Sequence, residues 1–241
     1  MLSIETLLHS VSEWNELRKS HPTRSVDLSS ANLSGISLKG ANLHKANLEG
    51  VDFSGCNLSG ADLSSAELRN VNFNGTNLRG ANLRFANISE TELTDADCSH
   101  ANLHRAYLGN ADLREVSFFE ADLSWANLYK TNLSGVDLSG ININHANLYE
   151  SDLNYSVLSA ANLYKANLRG ANLEGASLNG SNLSEANLSS ANLSSANLNS
   201  ANLTRANLKQ ATLRHANLKQ VAFYETKGVH KWVIELIHFW N

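Results

Sequence analysis

The sequence predicts an all-β solenoid, and three observations carry that reading. From Val26 to Glu225 the chain repeats every five residues without an insertion, giving 40 pentads in 200 residues. The third residue of the pentad is leucine in 33 of the 40 and Phe, Ile or Cys in the others. The first residue is small or β-branched, mostly Ala, and a polar residue, mostly Asn or Asp, separates the two. A period of five matches neither the 3.6 residues of a helix nor the two of a strand. Two apolar slots flanking one polar residue are a very short strand interrupted by a turn. A chain that turns every five residues must coil, bury its first and third positions, and satisfy its backbone by ladders between stacked coils.

Composition bounds the alternatives. The 241 residues carry a formal charge of −4, one proline and 7% aromatic residues. That charge is too small to argue for nucleic acid or for an acidic membrane surface. The bias toward Asn, Ala and Leu is not read as disorder, because leucine recurs too regularly to be solvated. Met1-Leu2-Ser3-Ile4-Glu5 lacks the basic start and apolar core of a secretory signal. No apolar run approaches the length of a membrane span. The expectation is a cytoplasmic protein with no membrane partner. Sequons such as Asn32-Leu33-Ser34 follow from the repeat itself, which sets Asn and Ser two apart.

Residues 1–25 read as an N-terminal helical cap. Ile4, Leu7, Leu8, Val11, Trp14 and Leu17 fall at spacings of three and four and form one apolar stripe. Ser3 and Ser12 are candidate N-caps, for one helix or two short ones, and His21-Pro22 ends the segment. Its expected task is to cover the open end of the solenoid. In the repeat, 26–225, the fourth and fifth positions vary freely and hold nearly all the Lys and Arg. Glycine is frequent at the fifth, as in Gly35, Gly40, Gly50, Gly75 and Gly170, where a tight turn needs positive φ. Residues 226–241 read as a C-terminal helical cap, with Val229, Trp232, Val233, Leu236, Ile237, Phe239 and Trp240 on one face.

Pentads such as Ala41-Asn42-Leu43-His44-Lys45 and Ala121-Asp122-Leu123-Ser124-Trp125 resemble the A(D/N)LXX motif of pentapeptide-repeat proteins, and the resemblance covers residues 26–225. It implies a right-handed quadrilateral β-helix with four pentads per coil, hence about ten coils with short α-helical caps at both ends. At a strand spacing of roughly 4.8 Å the repeat would be about 48 Å long. Four pentads per coil stack Phe53 on Phe73. They also put Cys56 and Cys98 two coils, roughly 10 Å, apart on one face, beyond the about 7 Å reach of a disulfide. Two free buried thiols are therefore expected, as in a reducing compartment.

Candidate chemistry is sparse. Eight of the nine aspartates occupy the second repeat position, where Asp alternates with Asn and bonds nearby backbone. Cys98-Ser99-His100 with His104 resembles a metal cluster only in composition, because Cys98 points inward and the histidines outward. There is no P-loop, dinucleotide fingerprint or nucleophile elbow. No enzyme, metal or cofactor is expected.

What remains is the outer surface. Sorted by coil, the face of the pentads starting at 41, 61, 81 and onward collects His44, Lys45, Arg84, Phe85, His104, Arg105, Trp125, His145, Tyr164, Lys165 and Arg205. The adjoining face adds Tyr129, Lys130 and Tyr149. Exposed aromatics beside Arg are enriched in interfaces. Arg84, Phe85, Arg105, Trp125, Tyr129, Tyr149 and Tyr164 form the candidate partner-binding surface. Another face, with Glu92, Asp95, Asp112, Glu115, Asp152 and Glu174, reads as acidic.

The function expected is a non-catalytic scaffold that binds another protein, as a monomer or as a homodimer through the C-terminal helix. The resemblance implies a bacterial regulatory type, especially numerous in cyanobacteria, some members of which are tied to cell differentiation. Glu13-Trp14-Asn15 ahead of the repeats looks like that type. The alternative is the DNA-mimicking inhibitor or protector of DNA gyrase found among similar proteins. Mild acidity, basic residues on one face and the lack of loop insertions count against it. Ice binding would need regular outer Thr rows, and the outer columns are mixed.

Overall fold

The structure, a computed structural model, describes residues 3–229. Its contacts divide the chain into two units, Met1–Asp122 and Leu123–Asn241. The same local rules build both. Second-position residues pair in parallel with those 20 residues further on, as Asn42 with Asp62 in the first unit and Asn162 with Asn182 in the second. Each strand is reduced to this single bridging residue. Around it three backbone bonds join successive coils: Asp62 N–H to Ala41 C=O at 2.9 Å, Leu43 N–H to Asp62 C=O at 2.7 Å and Lys45 N–H to Ser64 C=O at 3.0 Å. Four turns in each twenty residues make the coil a quadrilateral.

The turns explain the fifth position. The N–H of most first residues bonds the carbonyl three before it, as Ala46 to Leu43 at 3.0 Å. The fifth residue then sits at i+2 with positive φ, from 53° to 70° along the repeat. Twenty-eight of the forty fifth positions hold a residue other than glycine. Conformation at this slot is therefore imposed by ladder and core rather than by glycine's freedom.

The core follows from volume. First and third residues are buried throughout the interior coils, with Ala41, Leu43, Ala161 and Leu163 at 0% exposure. Phe53 and Phe73 stack at 5.6 Å and 15°. Hydroxyls at the first position mostly turn back to the carbonyl three residues before, Thr76 reaching Phe53 C=O instead. Thr131 Oγ1 donates to Leu128 C=O at 2.8 Å and Ser156 Oγ to Leu153 C=O at 2.7 Å. Ser181 Oγ is buried without a partner. Ser181→Ala is expected to raise unfolding free energy by about 1 kcal/mol, and Ser156→Ala to lower it by about as much, in urea titrations.

Cys56 and Cys98 are free and buried. Burial pushes their thiols up, to about 11 for Cys56 and about 12 for Cys98. Both remain protonated at neutral pH, and the thiolate is the reactive form. Native protein at pH 8 should give no fast reaction with a disulfide reagent, and two equivalents after denaturation.

The N-terminal segment forms α1, Ile4–His9, and α2, Val11–Ser20. The second helix starts two residues earlier than Ser12 suggested, because Ser10 is its cap and accepts from Glu13 N–H at 3.2 Å. The apolar stripe is only partly buried: Leu7 and Trp14 are inside, while Leu8 is 54% exposed. In their place Arg18 is 4% exposed. What α2 buries against is the open edge of the repeat. Trp14 Nε1 donates to Asn42 C=O at 2.8 Å, and Asn15 Oδ1 accepts from Asn42 N–H at 2.8 Å. Asn15 Nδ2 donates to Gly40 C=O at 2.9 Å, and Arg18 Nη2 donates to His44 C=O. In interior coils the groups equivalent to Asn42 N–H, Asn42 C=O and His44 C=O bond the preceding coil. Three side chains of α2 thus supply the ladder of a coil that is not there.

At the other end pairing outlasts the motif: Lys227 bridges Asn207, and its N–H reaches Ala206 C=O at 2.9 Å. The expected C-terminal helical cap falls mostly on residues 230–241, outside the described residues.

Candidate interaction surface

With the first and third residues inward, the second, fourth and fifth face out. The second is committed to structure. Its side-chain oxygen accepts the N–H of the fourth residue, as Asn162 Oδ1 from Tyr164 at 3.3 Å. Its amide donates twenty residues down, as Asn167 Nδ2 to Asn147 Oδ1 at 2.9 Å. Aspartate can accept but not donate. Asp27, Asp52, Asp62, Asp97, Asp112, Asp137 and Asp152 all accept the N–H two residues on. The backbone N–H of Ser29 holds the Asp27 carboxyl below its usual range, as that of Ser54 does for Asp52. These carboxylates are turn caps, not acid–base groups.

In the first unit Arg84, Phe85 and Arg105 come together. The guanidinium carbons of Arg84 and Arg105 lie over the Phe85 ring at 5.6 and 5.8 Å from its centroid. His104 meets that ring edge to face at 6.2 Å and 88°. In the second unit Trp125 stacks on His145 at 4.2 Å and 5°, and His145 meets Tyr164 edge to face at 5.3 Å. Tyr129 and Tyr149 stack at 5.8 Å and 2°. Lys130 lies 5.2 Å over Tyr129, Arg169 5.7 Å over Tyr149 and Lys165 5.0 Å over Tyr164.

The stacking has a consequence for exposure. Phe85 and Trp125 are exposed, at 42% and 48%, but Tyr129, Tyr149 and Tyr164 are half-buried in their columns. The most exposed aromatic residues include three outside the candidate set, Phe119 at 64%, Tyr155 at 66% and Tyr224 at 66%. The same outward rule reads them from the sequence, since Phe119 and Tyr224 are fourth and Tyr155 fifth residues. Tyr155 also covers Gly175, where an added Cβ would lie 2.6 Å from the ring. Phe85 and Trp125 are fifth residues at φ 57° and 61°. A left-handed conformation costs a side chain roughly 1–2 kcal/mol relative to glycine.

Charges follow the twenty-residue column. Arg69 pairs with Glu49 at 3.4 Å in the first unit. In the second, Lys130 pairs with Glu150 at 3.4 Å, Lys165 with Glu185 at 3.4 Å and Arg205 with Glu225 at 2.8 Å. The face read as acidic is partly neutralised, because Arg114 grips Asp112 at 2.6 Å and that contact holds the carboxyl below its usual range.

Comparison with known proteins adds the following. The family profile described as pentapeptide repeats matches repeatedly between residues 24 and 220. A solved structure of HetL, a pentapeptide repeat protein involved in heterocyst differentiation regulation from the cyanobacterium Nostoc sp. strain PCC 7120, is 32% identical with a TM-score of 0.51. The match covers 88% of this chain and 94% of HetL. QnrB1, a plasmid-mediated fluoroquinolone resistance protein, is 21% identical over 90% of this chain and 97% of its own, with a TM-score of 0.38. A pentapeptide repeat protein of the Arabidopsis thaliana thylakoid lumen is 34% identical over 44% of this chain and 73% of its own, with a TM-score of 0.30. No curated protein sequence matches.

Proposed function

Because the chain belongs to the pentapeptide-repeat family, whose members form right-handed quadrilateral β-helices, we propose that it is a non-catalytic scaffold that binds another protein. The observation that carries this is the placement of its exposed aromatic residues. Phe85 and Trp125 occupy left-handed slots that glycine would fill at lower cost. Arginine and histidine flank the Phe85 ring and histidine stacks on Trp125, and both rings stay exposed at 42% and 48%. Large aromatic rings left exposed beside cationic and imidazole groups are the kind of anchor that protein interfaces are enriched in.

The finer reading is a bacterial regulatory protein of the cell-differentiation type. Its support is the similarity to HetL over most of both chains. It includes helical caps on both ends of the repeat and a cytoplasmic site, in keeping with two unpaired thiols. Among the described residues no helix is long and apolar enough to cross a membrane. A gyrase protector would require a predominantly acidic exterior, and the cationic columns disfavour it. A supercoiling assay with a fluoroquinolone distinguishes the two.

The test pairs stability with capture. Phe85→Gly should leave unfolding free energy unchanged or raise it by up to about 1 kcal/mol, the left-handed relief being offset by the lost cation–π contacts. The same variant, and Trp125→Ala with Tyr129→Ala, should lose the partner captured from the native host. Capture that survives all three removes this reading.

A further inference from the structure

We propose that one outer face of the first unit, built by pentads 41–45, 61–65, 81–85 and 101–105, docks a carboxylate-rich segment of the partner protein. This rests on the scaffold reading and narrows the partner's chemistry. The fourth and fifth residues of these pentads are His44 and Lys45, a serine pair, Arg84 and Phe85, then His104 and Arg105, without one acid. The other three faces of the same unit carry Glu49 and Glu90, Asp95 and Glu115, or Glu120 at those positions.

Register explains the imbalance. Several cations elsewhere meet a glutamate one coil away, as Arg69 meets Glu49 at 3.4 Å in the same unit. One coil on from Lys45 stands Ser65, and one coil on from Arg84 stands His104. Neither Lys45 nor Arg84 has an ion pair among the described residues. The carboxylate at a second position of this face, Asp62, is already engaged. It accepts from Ser64 N–H at 3.1 Å, from Ser64 Oγ and from Asn82 Nδ2 at 3.0 Å.

Phe85 sharpens the choice of ligand. Arg84 and Arg105 already lie over its ring, so a base or sugar would have to displace a guanidinium to stack there. What a partner meets is the electropositive ring edge and guanidinium N–H groups, which suit carboxylate oxygens. Three coil steps of about 4.8 Å make a cationic column about 14 Å long, the span of four or five extended residues. With a net charge of −4, the chain as a whole repels an acidic peptide, so any binding is local.

The experiment titrates the full chain into a fluorescein-labelled twelve-residue Glu-Ser peptide, following anisotropy at 50 and 150 mM salt. Binding that weakens with salt, falls at least tenfold in Lys45→Glu/Arg84→Glu and stays within twofold in Lys165→Ala is the expected result. Circular dichroism of each variant establishes that it is folded. No binding by the native sequence, an equal loss in Lys165→Ala, or equally tight binding of a single-stranded oligonucleotide overturns the inference. If the peptide fails while Phe85→Gly still abolishes capture of the native partner, the scaffold reading stands and only the acidic partner falls. If Phe85→Gly leaves capture intact, the scaffold reading fails at this face whatever the peptide does.

Discussion

Trp14→Ala is expected to lower the stability of the first unit by about 4 kcal/mol or more, among the larger effects of any single truncation. The side chain is 0% exposed, and truncating a buried Trp costs about 3–5 kcal/mol. The indole also closes the edge of the repeat, since Nε1 bonds Asn42 C=O at 2.8 Å. Without it that carbonyl loses its partner, a further about 1–3 kcal/mol if water does not replace it. Trp14→Phe separates the two contributions by keeping the apolar body and removing the donor, and should cost about 1–2 kcal/mol. Asn15→Ala should be comparable to Trp14→Phe, because Asn15 serves both Asn42 N–H and Gly40 C=O. Urea unfolding by circular dichroism measures all three. Trp14→Ala within about 0.5 kcal/mol of the native value would show that α2 is an ornament rather than a substitute coil.

Deleting residues 161–180 should leave a folded protein, whereas deleting Gly170 alone should abolish cooperative folding of the second unit. The twenty-residue deletion removes one whole coil and lets Leu188 inherit the neighbours of Leu168, both third-position residues at 0% exposure. The single deletion shifts every later residue by one slot. Leucines then fall on the bridging position, which faces outward, and asparagines on the inward one. Four leucines per coil at about 1.5 kcal/mol or more each put the loss above about 6 kcal/mol for each coil so displaced. That equals the whole stability of an ordinary domain. Circular dichroism and a thermal melt decide. A single-residue deletion that still melts in one sharp transition would mean the bore tolerates polar residues, contrary to its packing.

The sequence by itself determined whatever depends on one local unit repeated. Five residues contain the inward pair, the capped turn and the left-handed slot, so core and surface were readable for every pentad. Contacts between residues twenty apart follow as soon as the coil holds four pentads, which is why the Phe53–Phe73 rung was legible and why the Lys165–Glu185 column could have been. Tertiary structure decided what breaks the period. No repeat rule places Arg18 in a buried position, since its two carbonyl acceptors, Arg24 and His44, come from segments with no fixed offset to α2. Nor does one reveal that Tyr129 and Tyr149 shelter each other to half-burial, because exposure of a long side chain depends on its rotamer and its neighbours. Periodic chains make their backbone predictable from one copy; ends and surface side chains are set by packing that only the assembled coils supply.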